Sequence, residues 1–145
     1  MRSYSGFTLI EILLSVGVIA ILSGLSLPVF RGFLVKNDLD AAEDVFVQDL
    51  RRAQVLSQAV AGDSTWGVYV QSGSITLFQG PSYSGRDPDF DEIFEISSTV
   101  VPSGVTEWVY SKFYGLPQST GSLVLTSADG EAQTISVNAK GRIER

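Results

Sequence analysis

A chain of 145 residues is enough for one domain, and with no cysteine and no histidine it excludes disulfides, thiol nucleophiles, Cys-based metal sites and the usual general base. Ten basic residues against sixteen acidic ones give a net charge of −6. That balance disfavours a general nucleic-acid binder, which needs a clustered basic face, and it repels anionic lipid and polyphosphate at long range.

The first thirty residues are the most distinctive. From Ile12 to Phe30 there is no charged residue, and Phe7 to Ile10 extend the run with Glu11 as its one interruption. At about 1.5 Å per helical residue the stretch matches the ~30 Å of a bilayer's hydrocarbon core. An acid inside such a segment costs roughly 2.5–3.5 kcal/mol at mid-membrane and less near the interface. Something must offset that cost. Two plain readings are an ordinary signal anchor, with Glu11 reaching toward the interface, and a cleavable secretory signal with Gly24-Leu25-Ser26 as its small-residue site.

The residues Gly6-Phe7-Thr8-Leu9-Ile10-Glu11 carry a third reading. They resemble the processing site of type IV pilins and of the related pseudopilins of type II secretion. The resemblance implies that a prepilin peptidase cuts after Gly6, that the new terminus at Phe7 is N-methylated, and that Glu11 is the acid used in assembly. The six-residue leader is short and basic through Arg2, as the family's leaders are, and Pro28 falls where these helices commonly carry a proline. The chemistry fits. Cleavage frees a positive amine on Phe7, and a paired buried charge is far less costly than a lone one. Phe7 and Glu11 are i and i+4, neighbours on one helix face. In an assembly, the amine of an incoming subunit meets Glu11 of its neighbour. Losing Arg2 with the leader changes the charge to 9 − 16 = −7.

Beyond Phe30 the pattern becomes amphipathic. Leu39, Ala42, Phe46, Leu50, Ala53, Leu56 and Val60 follow 3-or-4 spacing, and Asp49 is the one acid close to that stripe. One helix is predicted from about Phe7 to about Ala61, on the order of 80 Å long, with Gly62 as its C-cap. Pro28, flanked by Gly24 and Gly32, is expected to kink or loosen a turn, and the resemblance implies a segment that extends on filament packing.

After Gly62 the period becomes two. Residues 65–70 and 74–79 alternate about Gln71-Ser72-Gly73 and read as a hairpin. Pro81 to Asp91 reads as a polar loop, and 93–97, 105–110, 123–126 and 133–137 as further strands, the last after the turn dipeptide Asp129-Gly130. Asn138-Ala139-Lys140-Gly141 turns into a final Arg142-Ile143. The tail from Leu123 to Ile143 and the helix from Ala41 to Ala59 are similar to H-type pseudopilins and FimT-like minor pilins.

Three groups of residues are candidates for binding. Asp87, Asp89 and Asp91, with Glu92, alternate as hard oxygen ligands for calcium do, but an EF-hand fails because the sixth position is Glu92 and the twelfth is Ser98. The alternative is a solvated loop with Arg86 as counter-charge. Gly141-Arg142-Ile143-Glu144-Arg145 resembles the Gly-Arg-x-Arg end with which FimT-like minor pilins touch DNA, displaced by one at the second arginine. Lys140, Arg142 and Arg145 are therefore the candidate phosphate contacts, against an edge strand guarded by charge. Trp66, Tyr69, Phe78, Trp108, Tyr110, Phe113 and Tyr114 read as core and sheet-surface aromatics.

The sequence thus predicts an α+β, pilin-like protein: a long N-terminal helix with a transmembrane first half, packed on an antiparallel β-sheet head. Residues 1–6 are the leader, 7–30 the transmembrane segment, 31–61 its amphipathic continuation and 62–145 the head. The resemblance implies a structural subunit of a pilus-like or secretion filament, made in the inner membrane as a single-pass protein with its head outside the cytoplasm. Its implied partners are the prepilin peptidase, sibling pilins, the inner-membrane assembly platform and lipid. No cofactor and no enzymatic activity are expected, since no Ser–Lys pair, paired carboxylates or phosphate-cradling loop is spaced recognisably. The competing reading is a DNA- or surface-binding minor pilin at a filament tip.

Overall fold

A computed structural model describes residues 6–145, with the side chains of 24–34 outside the described set. The chain divides into two compact units between Leu34 and Val35. Helix α1, Leu9–Gln58, begins in the first and ends in the second. It starts where the Thr8 carbonyl accepts the N–H groups of Glu11 and Ile12, at 3.2 and 3.3 Å.

In the first unit every described side chain from Gly6 to Ser23 is exposed. Ser15 and Ser23 donate their hydroxyls to the carbonyls of Glu11 and Ile19, each at 2.7 Å. Such i−4 bonds satisfy a hydroxyl without breaking the helix. Among the described residues no helix is long and apolar enough to cross a membrane. The described side chains of the apolar run end at Ser23, short of the ~20 residues a span requires. Arg2 lies outside the described residues, as does the side chain of Pro28, where a loosened turn was expected.

In the second unit α1 buries the predicted stripe. Leu39, Ala42, Phe46, Leu50 and Ala53 are buried, joined by Val47, and Leu56 is partly buried. The helix ends earlier than the sequence suggests. Val60 adopts left-handed φ 51°, ψ 38°, ahead of a short 3-10 turn at Ala61–Asp63. Gly62, the expected cap, sits one turn later at φ 65°. The cause is Trp66. Its N–H bonds the Ser57 hydroxyl at 2.9 Å and its indole N–H the Ala61 carbonyl at 2.9 Å, so burying this ring draws the chain off the helix axis.

Eight strands follow: β1 (Trp66–Gln71), β2 (Ser74–Gln79), β3 (Asp87–Glu95), β4 (Val101–Gly104), β5 (Glu107–Tyr110), β6 (Gly121–Thr126), β7 (Ala132–Val137) and β8 (Ile143–Glu144). The predicted single sheet is two antiparallel four-stranded sheets, ordered β3-β2-β1-β5 and β4-β6-β7-β8. The chain changes sheet three times, from β3 to β4, back from β4 to β5 and again from β5 to β6, the second crossing being the shortest. There Val105 N–H bonds Ser122 in the second sheet, and the Thr106 carbonyl accepts Val70 N–H in the first. The hairpin at Ser72-Gly73 is as expected, with Gly73 at φ 89°. The turn before β8 is set by Asn138, whose Oδ1 accepts the N–H groups of Lys140 and Arg142 at 3.0 and 3.1 Å.

One expectation needs correction, and one strand was not foreseen. Residues 87–91 are strand, not loop, because Asp87 pairs with Gln79 and Glu92 with Leu77 across an irregular register. Acids and Pro88 are tolerated there since β3 is an edge strand. Strand β4, with Pro102, also lies at an edge and pairs with β6.

One core joins α1 to both sheets through Val68, Val70, Ile75, Leu77, Trp108 and Tyr110 on one side and Leu123, Leu125, Ile135 and Val137 on the other. The outer face of the first sheet has its own cover. Tyr83 stacks on Tyr69 at 3.9 Å and meets Phe78 edge-on at 5.7 Å, while the Arg86 guanidinium lies 3.8 Å over the Tyr83 ring.

Candidate functional site

The N-terminal motif stands on the first turns of α1. Phe7 precedes the helix, Glu11 lies in its first turn, and both side chains are exposed. A carboxylate there is favoured by the helix dipole. Among the described residues Glu11 has no side-chain partner. The apolar surface around it is equally uncovered. Phe7, Leu9, Ile10, Leu13, Leu14 and Leu22 are all exposed.

The head distributes its charges unevenly. Arg52 grips Glu92 through two bonds of 2.6 Å, pinning α1 to β3. Arg86 holds Asp91 at 2.7 Å, and that contact keeps the guanidinium above its ordinary pKa. Asp91 is thus committed to an arginine, and the Asp87 carboxylate accepts the Asp89 N–H at 3.2 Å. Among the described residues no group of three or more acids stands where a metal could be held. Asp87 and Asp89 lie exposed on β3, and Asp91 is turned to Arg86.

The basic tail divides. Arg145 bonds Glu43 at 3.2 Å and Asp44 at 3.0 Å on α1, so its charge is spent within the head. Lys140 and Arg142 are exposed and make no ion pair among the described residues. Strand β8 is the edge of its sheet, as the charged-edge reading expected.

The loop between β5 and β6 corrects the aromatic reading. Trp66, Phe78, Trp108 and Tyr110 are buried and Tyr69 is half-buried, but Phe113 and Tyr114 are 71% and 76% exposed. The loop is held firmly all the same. Phe113 N–H bonds the Ser57 carbonyl at 3.2 Å, Gln58 reaches the Tyr114 carbonyl at 3.4 Å, and Gln54 reaches the Gly115 carbonyl at 3.0 Å. Lys112 bonds the carbonyl and, at 2.9 Å, the carboxylate of Asp63. Phe113 sits at φ 67°, a conformation costly for an aromatic side chain. No periodicity signal reveals such a residue; only the fold shows that its ring faces solvent.

One buried acid stands apart. Asp49, on the core face of α1, is 4% exposed, and its Oδ2 has no hydrogen-bond partner among the described residues. Burial pushes its carboxyl up to about 7; Arg52 opposes the rise and Glu92 adds to it. A surface pocket of about 270 Å³ lies between Pro81, Glu107, Val109, Gln118 and Ser119. The Glu107 carboxylate at its wall already accepts the Tyr83 N–H at 2.9 Å, and Ser119 is bonded to the Glu107 carbonyl.

A long N-terminal helix with an apolar, acid-bearing start and an α+β head define the class of arrangement found in pilins. Residues 1–27 match the family model of the prokaryotic N-terminal methylation motif, the type IV pilin and pseudopilin signature. That motif implies processing by prepilin peptidase and assembly with other pilins. No solved structure matches the chain.

Proposed function

We propose that this protein is a minor pilin or pseudopilin, cut between Gly6 and Phe7, N-methylated at Phe7, and built into a filament through its N-terminal helix. One observation carries the reading: the methylation motif opens a helix whose described side chains up to Ser23 are uncovered and whose first acid, Glu11, has no side-chain partner among the described residues. Before assembly, residues 7–30 lie in the inner membrane as a single span, with the head outside the cytoplasm. Lipid and the assembly platform are then its first partners. On assembly the apolar surface exchanges lipid for neighbouring helices. Apolar burial alone gains little in that exchange, so packing and the pairing of Glu11 with a terminal amine drive it. Pro28 is the position at which the helix extends as subunits pack.

The intact mass of protein recovered from cells carrying a prepilin peptidase tests this directly. The expected species lacks residues 1–6 and bears one added methyl group. Glu11→Ala is expected to leave membrane insertion intact and to abolish entry into filaments. An unprocessed chain, or normal assembly of the alanine variant, contradicts the reading.

The competing role, a tip subunit that captures DNA through Lys140, Arg142 and Arg145, draws less support. The Arg145 guanidinium is engaged by Glu43 and Asp44, which removes one of its three phosphate contacts. A gel shift at low salt discriminates, since phosphate contacts weaken steeply with salt.

A further inference from the structure

We infer that the head joins a second copy of this chain head to tail, the acidic edge of β3 on one copy meeting the aromatic and basic patch beyond β5 on the next. The inference rests on the filament-subunit reading above and names the contact by which heads recognise one another.

Two exposed patches on this head are complementary. The first is the open edge of β3, the terminal strand of its sheet. It exposes Phe90 and Ile93, 49% and 64% accessible, among Asp87, Asp89 and Glu95, which form no ion pair among the described residues. The second patch follows β5, the terminal strand at the opposite edge of the same sheet. It exposes Phe113, Tyr114 and Leu116. The turn bearing Lys140 and Arg142 adjoins it. A Cβ on Gly141 would come within 2.6 Å of Gln54 Nε2 and 3.4 Å of the Gly115 carbonyl, the groups that anchor the aromatic loop. Both patches are thus apolar with charge beside them, and the charges are of opposite sign.

The arrangement selects one mode of pairing. Two β3 edges brought together oppose acid to acid, and two tail patches oppose base to base, so a closed two-fold dimer is disfavoured. The heterologous contact satisfies both charges. Because the two patches stand at separate places on the head, each copy of a joined pair keeps one patch free, the pair offers one of each kind, and such contacts propagate into an open array rather than a closed one. The strained Phe113 backbone, clamped by Ser57, Gln54 and Gln58, holds the ring outward where a neighbour can cover it.

The chain has no cysteine of its own, so disulfide trapping is clean. Full-length Ile93→Cys and Tyr114→Cys chains are prepared in detergent micelles, oxidised separately and as a mixture. The mixture is expected to give a cross-linked dimer, and each variant alone little; a chain carrying both substitutions is expected to give a ladder. Phe90→Cys with Leu116→Cys repeats the test at independent sites. Reversal of the edge by Asp87→Lys with Asp89→Lys is expected to lower the mixed yield about ten-fold, and adding Lys140→Asp with Arg142→Asp to the partner to restore it. Cross-linking of the mixture no greater than that of the separate variants, or a yield indifferent to charge reversal, overturns the inference. So does retention of a short DNA duplex by Lys140 and Arg142 without self cross-linking, which makes nucleic acid the occupant. Processing and Glu11-dependent filament formation are scored in separate cultures. A chain that forms filaments without these cross-links refutes this contact alone, whereas an unprocessed chain refutes the subunit reading.

Discussion

Asp49 is the residue at which the head's stability is most sensitive to its surroundings. Unfolded, its carboxyl releases a proton near 3.8; folded, burial raises that to about 7. The folded state therefore holds the proton more tightly. Below about pH 4 the site carries no penalty; between there and about pH 7 stability falls; above that the loss is constant. A shift of three units corresponds to about 4 kcal/mol at most. The variant Asp49→Asn is expected to be more stable than the parent at pH 8 by about 2 kcal/mol and nearly equal to it at pH 4. Melting temperatures of both chains across that range check it, and parallel pH curves contradict it. Arg52 does not rescue Asp49, because its guanidinium is already bonded twice to Glu92. Phe113 is the second such residue. Asparagine tolerates left-handed backbone and loses little burial at so exposed a site, so Phe113→Asn is expected to stabilise the head by about 0.5–1 kcal/mol. The same change is expected to weaken self cross-linking. A lower melting temperature, or unchanged cross-linking, contradicts that account.

Elements were legible in proportion to how local their cause is. The amphipathic half of α1 was readable because its stripe repeats every three or four residues and five of its seven members are buried. The β1–β2 and β6–β7 hairpins were readable from alternation and glycine turns. Strand β3 was hidden because Asp87, Pro88, Asp89 and Asp91 are loop-like in composition, and only pairing with β2 makes them extended. Strand β4 was hidden likewise: Val-Pro-Ser-Gly carries no alternation, and its extension comes from β6. The end of α1 was displaced because Val60, an unexpected left-handed residue, obeys the docking of Trp66 rather than its own preference. The candidate sites follow the same rule. The methylation motif, matched over residues 1–27, stands in one short segment and was readable. Lys140 and Arg142, exposed in the turn, could not be told from the engaged Arg145 before Glu43 and Asp44 were seen beside it.

At the scale of the whole molecule, the two units have different dependences. All buried hydrophobic residues among those described lie at Leu39 or beyond, inside the Val35–Arg145 unit. That unit is therefore expected to fold without the first 34 residues, with a melting temperature within a few degrees of the full chain's; failure of a 35–145 fragment to show a cooperative transition contradicts this. The described side chains of the helix start, Gly6 to Ser23, bury no such core. The amino-acid order by itself determined the processing motif, the uncharged run and the helix stripe, because each depends on neighbours within a few positions along the chain. Only the tertiary structure decided that the head has two sheets, that β3 is an edge, that Arg145 is engaged while Lys140 and Arg142 make no ion pair among the described residues, and that Phe113 and Tyr114 face outward. Each of those depends on groups brought together from distant positions, and no local pattern encodes which of them meet.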